Sequence, residues 1–120
     1  MARSTADRLA AYERQYRDLA RQLADIGYIA GGSLALRPNR CGKPTCRCHD
    51  DPPQPHGPYW RWTAKVNGKT VNRRLTQAQA ELYQEWTAND RRHRALVAKM
   101  RQIAAKATEL LLTEHVHDNS

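Results

Sequence analysis

The chain has 120 residues, of which 20 are Lys or Arg against 12 Asp or Glu, for a net charge of +8. Hydrophobic residues make up 40%, with no Phe and three Trp, so the core is expected to be thin and built from Leu, Ala, Tyr and Trp. That composition suits one domain or a small domain with helical extensions. No stretch approaches the roughly 18 apolar residues that span a bilayer. The start, Met1 to Asp7, lacks the apolar core of a secretory signal, so the expectation is a cytoplasmic protein with reduced thiols and no membrane role.

The positive charge is unevenly spread. Residues 1–36 are net +1, residues 37–75 net +7, and residues 76–120 carry six charges of each sign. A basic block of this kind is the electrostatic footprint of a polyanion partner, most often nucleic acid. A generally basic, soluble protein is the plainer alternative.

Ser4 to Asp7 reads as a capping box that opens a helix over residues 5–27. Leu9, Tyr12, Tyr16, Leu19, Leu23 and Ile26 follow at alternating spacings of three and four, a heptad seam that Gly27 ends. A metal-loop and hairpin unit is expected over residues 33–75. Within it, Ser33 to Arg37 suits a short strand. The clearest strand signal runs from Tyr59 to Val66 and, after Asn67-Gly68, from Lys69 to Leu75. Asn-Gly suits a two-residue hairpin turn because both positions need positive φ.

Placing the turn there pairs Val66 with Lys69, Ala64 with Val71, Trp62 with Arg73 and Trp60 with Leu75. One face then carries the two Trp with Ala64, Val66, Val71 and Leu75, and must be covered. The other carries Tyr59, Arg61, Thr63, Lys65, Thr70, Asn72 and Arg74. A lone hairpin is marginal in water, so the 33–37 segment and one of the helices are the expected covers. Thr76 to Gln79 is a second capping box, opening a helix over 76–113 of about 55 Å. Its seam runs Leu82, Trp86, Asn89, His93, Leu96, Met100, Ile103, Ala107 and Leu110. The two polar members either fix register or mark where the helix faces water. Residues 114–120 are expected to be a frayed tail.

Between the first strand and the hairpin lies the segment Cys41 to Pro58. All three cysteines fall within it, with His49, His56 and five of the six prolines. So many prolines exclude a helix or central strand, and some other tie must shape the segment. Cys41, Cys46, Cys48 and His56 offer three thiolates and an imidazole, the ligand set of a closed structural zinc site. His56 is favoured over His49 because seven intervening residues let the chain return. Without metal, the segment is an irregular Pro-rich loop bearing thiols. Asp50 and Asp51 are the only acids nearby, and nothing supplies an orienting group or oxyanion hole. No catalytic residue and no small-molecule substrate are expected.

The pattern Cys-Gly-Lys-Pro-x-Cys-x-Cys, a short loop, then His-Gly-Pro-Tyr and a Trp/Tyr-rich strand with an Asn-Gly turn resembles the DUF6788-type family of small bacterial proteins. The likeness covers roughly residues 32–75. It implies that Cys41, Cys46, Cys48, His56 and Gly57-Pro58-Tyr59 belong to a shared signature that leaves His49 outside. It also implies an occasional neighbourhood of mobile-element genes, and it carries over no reaction. The hairpin and following helix are also similar, at the level of fold alone, to the sheet-plus-helix modules with which phage-type integrases hold DNA arm sites.

The sequence therefore predicts an α+β protein in which two long heptad-patterned helices flank a small antiparallel hairpin or three-stranded sheet with a Cys/His metal loop. The expected function is zinc-stabilised nucleic-acid binding, most naturally to DNA. Phosphate contacts are expected from Arg37, Arg40, Lys43, Arg47, Arg61, Lys65, Lys69, Arg73 and Arg74. The alternative is a coiled-coil protein-interaction adaptor. A homodimer through the C-terminal helix is expected in either case.

Overall fold

The computed structural model describes residues 4–39, 42–54 and 56–116, with residues 39, 56, 115 and 116 as backbone alone. In chain order these form α1 (Thr5–Ala24), β1 (Ser33–Asn39), one 3₁₀ turn (Arg47–His49), β2 (His56–Val66), β3 (Lys69–Leu75) and α2 (Gln77–Val116). The fold is α+β, with a three-stranded antiparallel sheet in the order β1-β2-β3. Contacts divide the chain into a sheet unit, Tyr28–Asp90, and a helical unit made of Met1–Gly27 and Arg91–Ser120.

In the sheet unit the hairpin has the register expected from its turn: Val66 opposite Lys69, Ala64 opposite Val71, Trp62 opposite Arg73 and Trp60 opposite Leu75. Asn67 and Gly68 both take positive φ, 52° and 80°, which twists the turn to match the strands. The third strand runs through Pro38 and ends two residues beyond the expected Arg37. It can do so because β1 is an edge, where a missing N–H breaks no ladder. The register shifts between Arg37 and Asn39, where β2 has one residue more than β1, a bulge that contains Gly57 and Pro58. The central strand β2 begins at His56, taking in only the last three residues of the Cys41–Pro58 segment.

One sheet face carries Leu34, Leu36, Trp60, Trp62, Ala64, Val71 and Leu75, and the first turns of α2 cover it. Trp60 Nε1 donates to Gln77 Oε1 at 2.8 Å. Trp62 lies 4.9 Å from Tyr83, which meets Trp86 edge-on at the same centroid distance. Leu75 is buried, and Ala80 is fully so, its small side chain letting helix and sheet approach closely. The α2 face turned to the sheet therefore runs through Ala80, Tyr83 and Thr87, whereas Leu82, expected at the head of the seam, is 47% exposed. The α2 start follows its capping box on both sides: Gln79 N–H donates to Thr76 Oγ1 at 3.2 Å, and Thr76 N–H to Gln79 Oε1 at 2.9 Å.

The segment before β1 is tied to the same assembly. Trp62 Nε1 donates to the Gly31 carbonyl at 2.8 Å, Ala30 N–H to the Trp86 carbonyl at 3.1 Å, and Asn89 Nδ2 to the Tyr28 carbonyl at 2.9 Å. Asn89 thus does not merely face water: it holds the chain entering β1. Gly32 is required where it is. Its φ is +92°, and a Cβ there would stand 2.5 Å from the Thr63 carbonyl oxygen.

In the helical unit α1 starts as expected, with Asp7 N–H donating to Ser4 Oγ at 3.1 Å. It ends at Ala24 rather than near Gly27. Asp25 caps it, and the Asp25 and Ile26 amides reach back to the Gln22 and Leu23 carbonyls. The second half of α2 runs antiparallel beside it: Leu9 shares a groove with Ala107 and Leu111, and Tyr16 shares one with Val97 and Met100. Ala11 and Leu96 are the buried side chains of this unit among the described residues. The helix continues to Val116, past the expected end at 113, and residues 117–120 of the expected tail lie outside the described residues.

Candidate nucleic-acid interface and cysteine loop

The alternation of a strand places Arg37, Tyr59, Arg61, Thr63, Lys65, Thr70, Asn72 and Arg74 on the sheet face opposite α2. Arg37, Lys65, Thr70, Asn72 and Arg74 are exposed, and Tyr59, Arg61 and Thr63 half-buried. Arg61 stands directly opposite Arg74, an arrangement of like charges that is unfavourable by itself. Each guanidinium turns aside to a diagonal neighbour. Arg61 Nη1 donates to Asn72 Oδ1 at 3.3 Å, and the Arg74 guanidinium carbon sits 3.4 Å from the centre of the Tyr59 ring, a cation–π contact. Among the described residues, no carboxylate pairs with Arg37, Arg61, Lys65 or Arg74. Arg61 and Arg74 are thus held by neutral partners, on a face that bears no carboxylate pair among the described residues and interleaves its cations with hydroxyl and amide groups.

The remaining expected phosphate ligands divide differently. Arg73 and Lys69 fall on the Trp face. The Arg73 guanidinium lies 6.0 Å from the Trp62 ring centre, with Nη1 donating to the Tyr83 hydroxyl at 3.4 Å. Arg73 thus touches the helix–sheet layer while staying exposed; its register opposite Trp62 was the signal for this contact. Lys43 and Arg47 are exposed on the cysteine loop, and Arg40 lies outside the described residues. Tyr59, the platform under Arg74, belonged to the expected open face but not to the expected ligands.

Turn hydrogen bonds run through the loop. Cys46 N–H donates to the Lys43 carbonyl at 3.0 Å, His49 N–H to Cys46 at 3.0 Å, Asp50 N–H to Arg47 at 3.1 Å, and Gln54 N–H again to Arg47 at 3.1 Å. Cys48 has no exposed surface, Cys46 is half-buried and His49 is exposed. The pairing of Asn39 with His56 brings the two ends of the loop together at the base of β1 and β2. Cys41 and the His56 ring lie outside the described residues. Among those described, no three Cys, His, Asp or Glu side chains form a metal-holding group.

The helical unit holds an apolar groove of about 460 Å³ lined by Leu9, Tyr12, Tyr16, Ile103, Ala107 and Leu111. Tyr16, Leu111 and Leu112 are exposed along it or beside it. No helix among the described residues is long and apolar enough to cross a membrane. A family model described as "Domain of unknown function (DUF6788)" matches residues 9–84, a span that takes in most of α1 and the start of α2 as well as the sheet. No curated protein and no solved structure matches the chain.

Proposed function

The chain belongs to the DUF6788 family, and we propose that it is a nucleic-acid-binding protein of the cytoplasm that grips phosphates with the open face of its sheet. DNA is the expected ligand. The observation that carries this reading is the sheet face on which Arg37, Arg61, Lys65 and Arg74 stand together with no carboxylate partner among the described residues, the opposite face being closed by α2. Thr63, Thr70 and Asn72 are placed among them to reach sugars or base edges, and an antiparallel ribbon fits a major groove. The reading needs no reaction and assigns no catalytic residue. Anisotropy titration with a random-sequence duplex at a series of salt concentrations tests it. The four phosphate contacts of the sheet face contribute a log–log slope of roughly −3 to −4, and Arg61→Ala with Arg74→Ala should reduce it by about two. Absence of binding to duplex and single strands at low salt would rule the reading out.

The same proposal makes Cys41, Cys46, Cys48 and His56 a structural zinc site that fixes Lys43 and Arg47 relative to the sheet. Its support is the burial of Cys48, the turns that fold residues 43–50 and the pairing that closes the loop next to His56. Four thiolate and imidazole donors would make a closed tetrahedral site. Protein purified without added metal should contain about one equivalent of zinc per chain, as a single closed site requires. A content below about a tenth of an equivalent, with the loop still folded after chelation, would leave the burial of Cys48 as ordinary packing.

A second reading, the protein-interaction adaptor, is favoured by the apolar groove of the helical unit. Homodimerisation through the second half of α2 is its simplest form, and it is compatible with nucleic-acid binding. Leu111→Asp should convert a dimer to a monomer in light scattering while leaving the sheet intact. A wild-type chain that is monomeric at high micromolar concentration removes this form of the reading.

A further inference from the structure

The charges of α2 come in three blocks. Glu81, Glu85 and Asp90 are followed by Arg91, Arg92, Arg94, Lys99, Arg101 and Lys106 with no acid between them, and then by Glu109 and Glu114. The overall neutrality of residues 76–120 conceals this order. A helix shaped only for its own stability would interleave the signs to form pairs one turn apart. α1 does so at Glu13 and Arg17, 2.8 Å apart. Residues 91–106 offer no such pairs within the block.

All six cationic residues are exposed, whereas His93, Leu96, Val97, Met100, Ile103, Ala104 and Ala107, which lie among or just past them, are buried or half-buried. At 3.6 residues per turn, Arg91 falls opposite that apolar stripe, and Arg92, Lys99 and Lys106, seven residues apart, form one row along its edge. Lys99 and Arg101 flank it, Lys99 in a cleft that also contains Asp18 and Arg101 in one beside Tyr16. Arg94 is already engaged within the molecule, so the argument stands on the other five. Along the axis the block spans about 22 Å at 1.5 Å per residue. That is around two-thirds of a duplex turn of roughly 34 Å. The row Arg92, Lys99 and Lys106, with Arg91 beside it, contains no acid of α2 and is complementary to a phosphate backbone.

We propose that residues 91–106 of α2 form a second phosphate-binding surface for duplex nucleic acid, in the helical unit and separate from the sheet face. The proposal shares its partner with the reading above but not its contacts. The test compares the full-length wild type, Arg91→Ala/Arg92→Ala/Lys106→Ala, and Arg61→Ala/Arg74→Ala in duplex titrations at several salt concentrations. Alanine is the best helix former, so the triple variant should keep its helicity, checked by circular dichroism. A second variant, Arg91→Lys/Arg92→Lys/Lys106→Arg, preserves charge and should bind like wild type.

The expected result is a salt slope smaller by two to three in the alanine triple. The sheet variant should lose about two, and the combined variant the sum of both losses. A triple variant with the wild-type slope overturns this inference and leaves the sheet reading standing. A normal slope in the sheet variant, with loss in the triple, does the reverse. Binding to anionic vesicles instead of duplex, lost in the triple, overturns it in favour of a membrane-surface helix. No binding to either overturns both.

Discussion

The sheet unit and the helical unit are stabilised in different ways. In the sheet unit polar side chains close the packing: the Trp60 and Trp62 indoles donate hydrogen bonds at 2.8 Å, and Asn89 and the Ala30 amide tie down the entering chain. In the helical unit two antiparallel helices bury Ala11 and Leu96 and leave Tyr16, Leu111 and Leu112 exposed. A two-layer arrangement of sheet and helix has a single solution for each donor, whereas a two-helix stripe packs equally well on any apolar neighbour. The first unit is self-sufficient in its specificity; the second presents surface.

Substitutions can separate the two. Trp62→Ala removes the stack on Tyr83 and the bond to Gly31, and should cost about 3 kcal/mol. Hydrogen exchange should then show β2 and β3 losing protection while α1 amides keep theirs; equal loss in both would mean the units unfold as one. Leu96→Ala should cost about 2 kcal/mol at most sites of this kind, with the protection pattern reversed. Thr76→Ala breaks one side of the reciprocal cap, for a loss of about 1 kcal/mol in a urea titration. The smallest effect has the opposite sign. Arg61→Thr relieves the like-charge pair with Arg74 and should raise stability by a few tenths of a kcal/mol while weakening duplex binding. Lower stability in that variant would show that the Arg61–Asn72 bond outweighs the repulsion.

The parts legible in the sequence are those set by local chemistry. Asn67-Gly68 determines a turn, a turn determines register, and register assigns every side chain from Tyr59 to Leu75 to a face. Thr76 and Gln79 likewise announce their own helix start. What escaped depends on contacts distant in sequence. Tyr83 rather than Leu82 meets the sheet because Trp62 is there to receive it, and a heptad template carries no knowledge of that neighbour. Gly57 and Pro58 enter a strand because a bulge opposite β1 accommodates them. The cationic block of α2 was visible in the sequence but averaged away when charge was summed over a whole helix. Of the candidate site, the four cations of the open face follow from alternation alone, and the contact of Arg73 with Trp62 follows from its stated register.

Pro38 near the end of β1 has a bearing on how this sheet meets other molecules. Both outer strands are edges, and an edge invites a further strand to zip on. Along β1 the ring of Pro38 withholds a donor, and along β3 the run Lys69 to Arg74 places three cations beside any chain that approaches. Strand addition is discouraged on both sides, which protects the protein from sheet-to-sheet aggregation. What remains for recognition is the broad side of the sheet, so specificity is a matter of side chains rather than of shared backbone.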